Sequence, residues 1–231
     1  MKICGLQKLS LLDYPGTVAC TVFTGGCNLR CPFCHNAPLV LGDPERLETD
    51  DGELFSFLQK RRGVLDGVCV TGGEPLLHPD IGEFLHRIRA LGYRIKLDTN
   101  GCFPQRLKSL AAQGLIDYVA MDVKSAPEQY AGAVGVPGFD FSLVRESIAL
   151  LLSGQAGEYE FRTTVVRGLH NADVLRDTAR EIRGAKRYFL QKFVDSGHLI
   201  GSGFSAFSDG EMKGFLDVVS PYVTSAALRG V

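Results

Sequence analysis

The sequence predicts an α/β fold built on a parallel sheet of six strands. Short apolar runs, rich in β-branched and aromatic residues, alternate along the chain with amphipathic helical patterns. That order is typical of successive parallel βα units. Continuous rather than alternating hydrophobicity is typical of strands that are covered on both faces. Six such units would form either a barrel short of the usual eight strands or an open sheet.

The strands are predicted in six segments: 17–26, 64–73, 93–101, 117–124, 159–166 and 187–193. The helices between them carry recognisable start and stop signals. Pro79 and Pro104 begin the first two helices, and Gly92 and Gly114 end them. The apolar spacing of residues 141–152 predicts a third helix.

Two further helices are predicted from their capping residues. Asn171 is the expected N-cap of the fourth, and Ser208 and Glu211 have capping-box spacing at the start of the fifth. The glycine-rich run 132–138 is expected to be a surface loop that could move. No linker, repeat or low-complexity tract divides the sequence, so a single domain is predicted over residues 1–231.

The composition is that of an ordinary globular protein, with 45% hydrophobic and 22% charged residues. The 25 basic and 26 acidic residues give a formal net charge of -1, which offers no support for nucleic-acid binding. No apolar run approaches the roughly 18–20 residues that cross a bilayer, and the N-terminus lacks the apolar core of a signal peptide. We therefore expect no membrane partner and a cytoplasmic location.

Three of the seven cysteines lie close together, in the stretch TGGCNLRCPFCHNAP of residues 24–38. Cys27, Cys31 and Cys34 have C-x3-C-x2-C spacing. In a reducing compartment such a group indicates metal or redox chemistry rather than disulfides. The other four cysteines sit among apolar residues and are expected to be small buried hydrophobic side chains: Cys4, Cys20, Cys69 and Cys102.

Three thiolates are one ligand short of a closed metal site, and the residues allow three interpretations. Structural zinc needs a fourth ligand, but His35 directly follows Cys34 and is poorly placed to share one tetrahedron with it. An electron-transfer cluster needs four cysteines, so Cys69 or Cys102 would have to approach in the fold. The third interpretation is a [4Fe–4S] cluster with one iron open to a small molecule.

Polar motifs follow the predicted strands: TGGC, TGGEP, LDTNG and MDVK. In parallel βα folds the carboxyl ends of the strands carry the chemistry. Gly72 and Gly73 permit close backbone approach, and Glu74 or a nearby carbonyl can accept a hydrogen bond from an ammonium group. Asp98 and Asp122 end neighbouring strands, so their carboxylates need a cation, a proton or a positive ligand group between them.

The cysteine loop, with Phe33 before its last cysteine and GGEP after the next strand, resembles the radical S-adenosylmethionine (SAM) superfamily. The resemblance implies a partial (β/α)6 barrel, which is an open form of the TIM-like barrel. It implies a [4Fe–4S] cluster on Cys27, Cys31 and Cys34, with the amino and carboxylate groups of SAM on the fourth iron. Phe33 would pack near the adenine. The residues matched to SAM binding are Phe33, Gly72, Gly73, Glu74, Asp98, Asp122, Lys124 and Arg162.

DTNG together with D-x-K resembles the activases of glycyl radical enzymes within that superfamily. In that group the residues that match Asp98, Thr99 and Asp122 are linked to a monovalent cation, and the lysine that matches Lys124 contacts SAM. Arg162 matches a basic position on the fifth strand, where an ordinary ion pair is the alternative. Residues 9–40 look most like the activating proteins of anaerobic ribonucleoside-triphosphate reductase.

These resemblances imply reductive cleavage of SAM with an electron from a flavodoxin- or ferredoxin-type donor. The resulting 5′-deoxyadenosyl radical would take a hydrogen from a glycine of a partner glycyl radical enzyme, with anaerobic ribonucleotide reductase favoured. Two alternatives remain: a small-molecule enzyme similar to 7-carboxy-7-deazaguanine synthase, and a non-catalytic iron–sulfur sensor or electron carrier. His170 and His198 are expected to be structural residues of loops at the same rim.

Overall fold

The computed structural model of the chain describes residues 1–42 and 50–231. Within these residues eight strands form one sheet in chain order. The strands are β1 (Ile3–Ser10), β2 (Ala19–Thr24), β3 (Gly67–Gly72), β4 (Arg94–Thr99), β5 (Tyr118–Asp122), β6 (Glu158–Val165), β7 (Tyr188–Lys192) and β8 (Ala226–Arg229). β1 is antiparallel to β2, and every later strand is parallel to its neighbour.

The sheet is a partial, open TIM-like barrel, as predicted. All six predicted strands are present, as β2 to β7. The two edge strands were not predicted, and in the described part of the chain β1 and β8 pair with one neighbour each, so the barrel does not close. The single domain over residues 1–231 stays a prediction.

The described residues contain eight α-helices: α1 (Ala37–Leu41), α2 (Asp51–Lys60), α3 (Ile81–Ala90), α4 (Pro104–Ala112), α5 (Pro127–Val134), α6 (Ser142–Leu152), α7 (Ala172–Glu181) and α8 (Asp209–Val219). Two predicted caps are confirmed. The Asn171 side chain accepts from the Val174 amide, and Ser208 and Glu211 form a reciprocal capping box. None of the helices described is long and apolar enough to cross a membrane.

The prediction for residues 132–138 is wrong in part. Residues 132–134 are the last residues of α5, and Ala133 and Val134 are buried. The glycine that suggested a loop instead ends the helix: Gly135 has a φ of 66°, the left-handed conformation of a helix C-terminus. The carbonyl of Val134 accepts a 2.9 Å hydrogen bond from the Arg30 amide, so this helix end supports the cysteine loop.

The two faces of the sheet differ in polarity. Leu97, Val119 and Phe161 belong to one apolar core that also contains the inward side chains of the helices. The residues just before Leu97 and Phe161 face the other way and line a cavity; they are Lys96 on β4 and Glu160 on β6. The concave face therefore carries charged side chains on β4 and β6, which alternate in polarity instead of being continuously apolar as predicted.

Candidate functional site

A cavity of about 240 Å³ lies at the carboxyl ends of the strands. The three cysteines of the loop all line it. Most of the other residues predicted for the site line it too: Phe33, Gly72, Gly73, Asp98, Thr99, Asp122, Lys124 and Arg162. The topology explains this convergence, because parallel strands deliver their carboxyl ends to the same edge of the sheet.

The cysteine loop is tied at both ends by backbone hydrogen bonds. The Gly26 amide donates to the Leu39 carbonyl at 2.9 Å, which closes the loop at its base. Within the loop the Cys34 amide donates to the Cys31 carbonyl at 3.0 Å. The backbone that carries the three thiols is therefore held by the protein itself.

The two glycines of TGGEP serve the cysteine loop directly. The Gly73 amide donates to the Thr24 carbonyl and the Glu74 amide donates to the Gly26 carbonyl, both at 2.9 Å. A Cβ on Gly73 would lie 1.8 Å from the Gly26 oxygen, and Gly72 has a φ of 121° that side chains rarely adopt. Close backbone approach was predicted, but its partner here is the neighbouring loop of the chain.

Glu74 is the one predicted SAM-binding residue that does not line the cavity. Its side chain is completely buried, and its carboxylate accepts from the Leu76 amide, the Thr99 hydroxyl and the Asn100 amide at 2.7–3.0 Å. Burial raises the pKa of Glu74 to about 7, although these donors oppose the shift. In this geometry Glu74 pins the end of β3 to the end of β4 and has no contact to offer a ligand's ammonium group.

Arg162 links the two aspartates of the cavity. Its Nε donates to Oδ1 of Asp122 at 2.7 Å, and an Nη donates to Oδ2 of Asp98 at 3.0 Å. The strand between Asp98 and Arg162 carries Ala120 in register with Asp98, and that side chain is small enough for the guanidinium to reach across. The positive group that two neighbouring carboxylates require is therefore a side chain of the protein.

Two lysines complete the ion-pair network. Lys124 Nζ donates to Oδ2 of Asp122 at 2.9 Å, and Lys96 Nζ contacts Oδ1 of Asp98. Burial alone would raise the pKa of each carboxyl group, but Arg162 with Lys96 holds the pKa of Asp98 below its ordinary value, and Arg162 with Lys124 does so for Asp122. Both carboxyl groups are ionised at neutral pH. The predicted monovalent cation finds no support here, because each carboxylate oxygen of the two aspartates already contacts a cationic side chain.

The thiols and their surroundings fit an iron–sulfur cluster with one open iron. Three sulfur ligands on one loop are the donor set that such clusters use. Burial raises the pKa of Cys27, and it raises that of Cys31 to about 12, so metal binding would release protons here. Among the described residues, no group of three Cys, His, Asp or Glu side chains is already arranged to hold a metal ion. The fit therefore rests on the cavity that the three thiols share.

Of the other cysteines and the histidines, only His35 lines the cavity. Cys4, Cys20, Cys69 and Cys102 are buried, as predicted, and none of them lines the cavity. His35 does line it, with its ring 5.4 Å from that of Phe193. His170 is structural: its Nδ1 accepts from the Val166 amide and its Nε2 donates to the Lys124 carbonyl. His198 is exposed.

Sequence reasoning missed several polar residues in or next to the site. Lys96 precedes Asp98 by two positions on β4, and this spacing on a strand is the signal that places both on one face. Asn36 donates to the Gly72 carbonyl at 3.0 Å. Asn100 donates to Asn28 Oδ1 at 2.9 Å and lies 3.8 Å from the Cys27 sulfur, so it helps to orient the cysteine loop. No residue pattern indicates these amide contacts in advance.

A sequence profile described as the radical SAM superfamily matches residues 21–182. The chain belongs to the radical SAM superfamily. Among similar proteins is one from Methanocaldococcus jannaschii named "putative glycyl-radical enzyme activating enzyme". It is 30% identical to this radical SAM protein over 194 residues, which cover 83% of this chain and 79% of the relative. Membership implies a [4Fe–4S] cluster and SAM as cofactors.

Shorter matches extend to other radical SAM proteins. A pyruvate formate-lyase-activating enzyme of Listeria monocytogenes is 31% identical over 140 residues, or 56% of each chain. A 7-carboxy-7-deazaguanine synthase of Halobacterium salinarum is 40% identical over 86 residues, which are 37% of this chain and 33% of the relative. SuiB of Streptococcus suis, solved with SAM bound, has a TM-score of 0.66 at 14% identity, over 89% of this chain and 48% of SuiB. That likeness shows the fold alone.

Proposed function

We propose that this protein is an activase that generates a glycyl radical on a partner enzyme. One observation carries the proposal: the three cysteine thiols and the charged ends of three strands line the same cavity. When bound, the [4Fe–4S] cluster supplies the electron that cleaves SAM to methionine and a 5′-deoxyadenosyl radical, which takes a hydrogen atom from the partner's glycine. A flavodoxin- or ferredoxin-type protein is the proposed electron donor.

In this scheme the residues of the chain bind the cluster and orient SAM. Cys27, Cys31 and Cys34 would hold three irons and leave the fourth for SAM. The Lys124 ammonium and the Arg162 guanidinium, both at the cavity wall, would face the carboxylate of the methionine moiety. Phe33 is almost completely buried at the same wall and supplies an apolar surface for the adenine. No general acid or base is needed.

Two observations favour a protein substrate. The long match to the M. jannaschii protein, which is named as an activating enzyme, covers most of both chains. The barrel is open between β1 and β8 in the described residues, which leaves a side through which a partner's loop could enter. By the resemblance of residues 9–40, the favoured partner is anaerobic ribonucleotide reductase.

A small-molecule radical SAM enzyme is the second candidate. It is supported by the 7-carboxy-7-deazaguanine synthase match, which covers only 37% of this chain. That match covers less than half as much of this chain as the M. jannaschii match, so it is the weaker support. A non-catalytic iron–sulfur carrier is disfavoured, because the cavity that holds the three cysteines also has a wall of charged side chains that suits a bound ligand.

The proposal is tested by reconstituting the cluster anaerobically, reducing it with dithionite and adding SAM. We expect 5′-deoxyadenosine and methionine. Electron paramagnetic resonance in the presence of an anaerobic ribonucleotide reductase should then show a glycyl radical, and substitution of the radical glycine of that reductase by alanine should abolish the signal. Cleavage of SAM without any radical on a panel of glycyl radical enzymes would instead favour the small-molecule candidate.

A further inference from the structure

Each carboxylate oxygen of the two aspartates that the activase resemblance assigns to a monovalent cation already accepts from a charged donor. Oδ1 of Asp122 accepts from Arg162 Nε at 2.7 Å and Oδ2 accepts from Lys124 Nζ at 2.9 Å. Oδ2 of Asp98 accepts from Arg162 at 3.0 Å, and Oδ1 contacts Lys96 Nζ. All four carboxylate oxygens thus accept from cationic groups, whereas a hard cation needs oxygen ligands that are free.

The charge balance points the same way. Two carboxylates in this network face three cations: Lys96, Lys124 and Arg162. The next charged groups along the concave face, Glu160 and Arg229, neutralise each other through two hydrogen bonds of 2.7 and 2.9 Å. Adding Asp13, which lines the cavity below, makes the whole set neutral. No net negative charge remains to attract a further cation.

Lys96 is the unusual member of this network. Its side chain is only 2% exposed, and lysine is almost never fully buried unless it is paired. The contacts of Nζ are Asp98 and the sulfur of Cys69 at 3.7 Å, so Asp98 is its charged partner. Lys96 sits two residues before Asp98 on β4, on the same face of the strand.

We infer that the Lys96 ammonium is a tethered substitute for the monovalent cation, and that the chain binds SAM without one. Lys96 is a positioning residue that acts through Asp98. It lines the neighbouring cavity, with Asp13 and Glu160, and not the cavity that holds the three cysteines. The inference rests on the proposed SAM site but not on the identity of the partner enzyme.

The test measures SAM binding to the reconstituted protein by calorimetry, in potassium, sodium or choline chloride at equal ionic strength. The wild-type dissociation constant should be the same in all three salts. Lys96→Met removes the ammonium but keeps the length of the side chain. This variant should bind SAM about tenfold more weakly in choline, and potassium or sodium should restore part of the affinity. Lys108→Met, on the exposed face of α4, is the matched control and should change nothing.

Several outcomes would overturn the inference. A wild-type affinity that falls about tenfold when choline replaces potassium or sodium shows that a free cation is required. Lys96→Met behaving like wild type in every salt shows that the ammonium has no such role. Sodium NMR linewidths give a readout that depends on neither SAM nor the variant's stability: broadening with the wild-type protein would show a bound cation. Absence of SAM binding in all salts would remove the proposed function as well.

Discussion

Arg162 Nε donates a 2.7 Å hydrogen bond to Oδ1 of Asp122, its register partner on the neighbouring strand. The same guanidinium reaches over Ala120 to Asp98, one strand further. One side chain therefore sets the spacing of two carboxylates in the cavity wall, and its fork geometry is what allows both bonds at once.

Replacing Arg162 should damage both stability and SAM binding. Arg162→Met leaves two carboxylates close together at a buried site, and breaking a buried ion pair in this way costs roughly 3–5 kcal/mol. Arg162→Lys keeps the charge but cannot bond both aspartates, so its SAM affinity should lie between those of wild type and Arg162→Met. Thermal unfolding and calorimetry measure the two effects. Arg145→Met, an exposed pair with Glu181, is the control; full SAM affinity in Arg162→Lys contradicts the argument.

Each cysteine of the loop should be needed for the cluster. Cys27→Ala, Cys31→Ala and Cys34→Ala each leave too few thiolates to retain it, so the reconstituted proteins should lose their visible charge-transfer absorbance and most of their bound iron. Cys4→Ala and Cys20→Ala should retain both, because these buried side chains lie outside the cavity. Loss of the cluster in Cys20→Ala would mean that the ligands are assigned incorrectly.

Gly73→Ala should disturb the cysteine loop. Its Cβ would lie 1.8 Å from the Gly26 carbonyl oxygen, which is backbone and must move. We expect a loss of roughly 1–3 kcal/mol in the free energy of unfolding and a lower iron content after reconstitution. Gly132→Ala is the matched control, since nothing lies within 4 Å of its Cβ in α5. That change should stabilise the helix by about 0.5–1 kcal/mol. Equal iron loading in both variants would show that the GGEP backbone and the cysteine loop move independently.

Glu74 should make the stability of the protein pH-dependent. Its pKa rises from 4.5 to about 7 on folding because burial disfavours the charged form. The contribution of Glu74 to the free energy of unfolding is therefore fully present below about pH 4.5 and is lost as the pH rises through about 7. Over this window the free energy of unfolding should fall by up to about 1.4 kcal/mol per pH unit.

Glu74→Gln separates this titration from the hydrogen bonds. The amide oxygen can still accept from Leu76 and Thr99, but the amide nitrogen then faces the Asn100 N–H. We expect a loss of roughly 1–3 kcal/mol at acidic pH, with a flatter dependence of the melting temperature between about pH 5 and pH 7. Glu83→Gln on the exposed face of α3 is the control. An unchanged slope in Glu74→Gln would place the titration elsewhere.

The fold was predictable where the chain repeats a clear pattern. The six central strands and the caps at Asn171 and Ser208 follow from local residue chemistry. The edge strand β8 has four half-buried residues, and α1 has only five, so neither leaves a periodic signal. At the site a motif gives residue type and strand end, but not the direction of a side chain. That is why Glu74 was matched to a ligand that it does not face.

The Gly26–Leu39 hydrogen bond has a consequence for how the enzyme matures. In a zinc finger the metal organises an unfolded chain, and the free energy of binding is spent on folding. Here the base of the cysteine loop is already fastened, and the GGEP backbone and the end of α5 already hold it from two sides. Because these contacts are made by the protein's own backbone, the iron-free chain should already be folded, and it should bind the cluster without refolding.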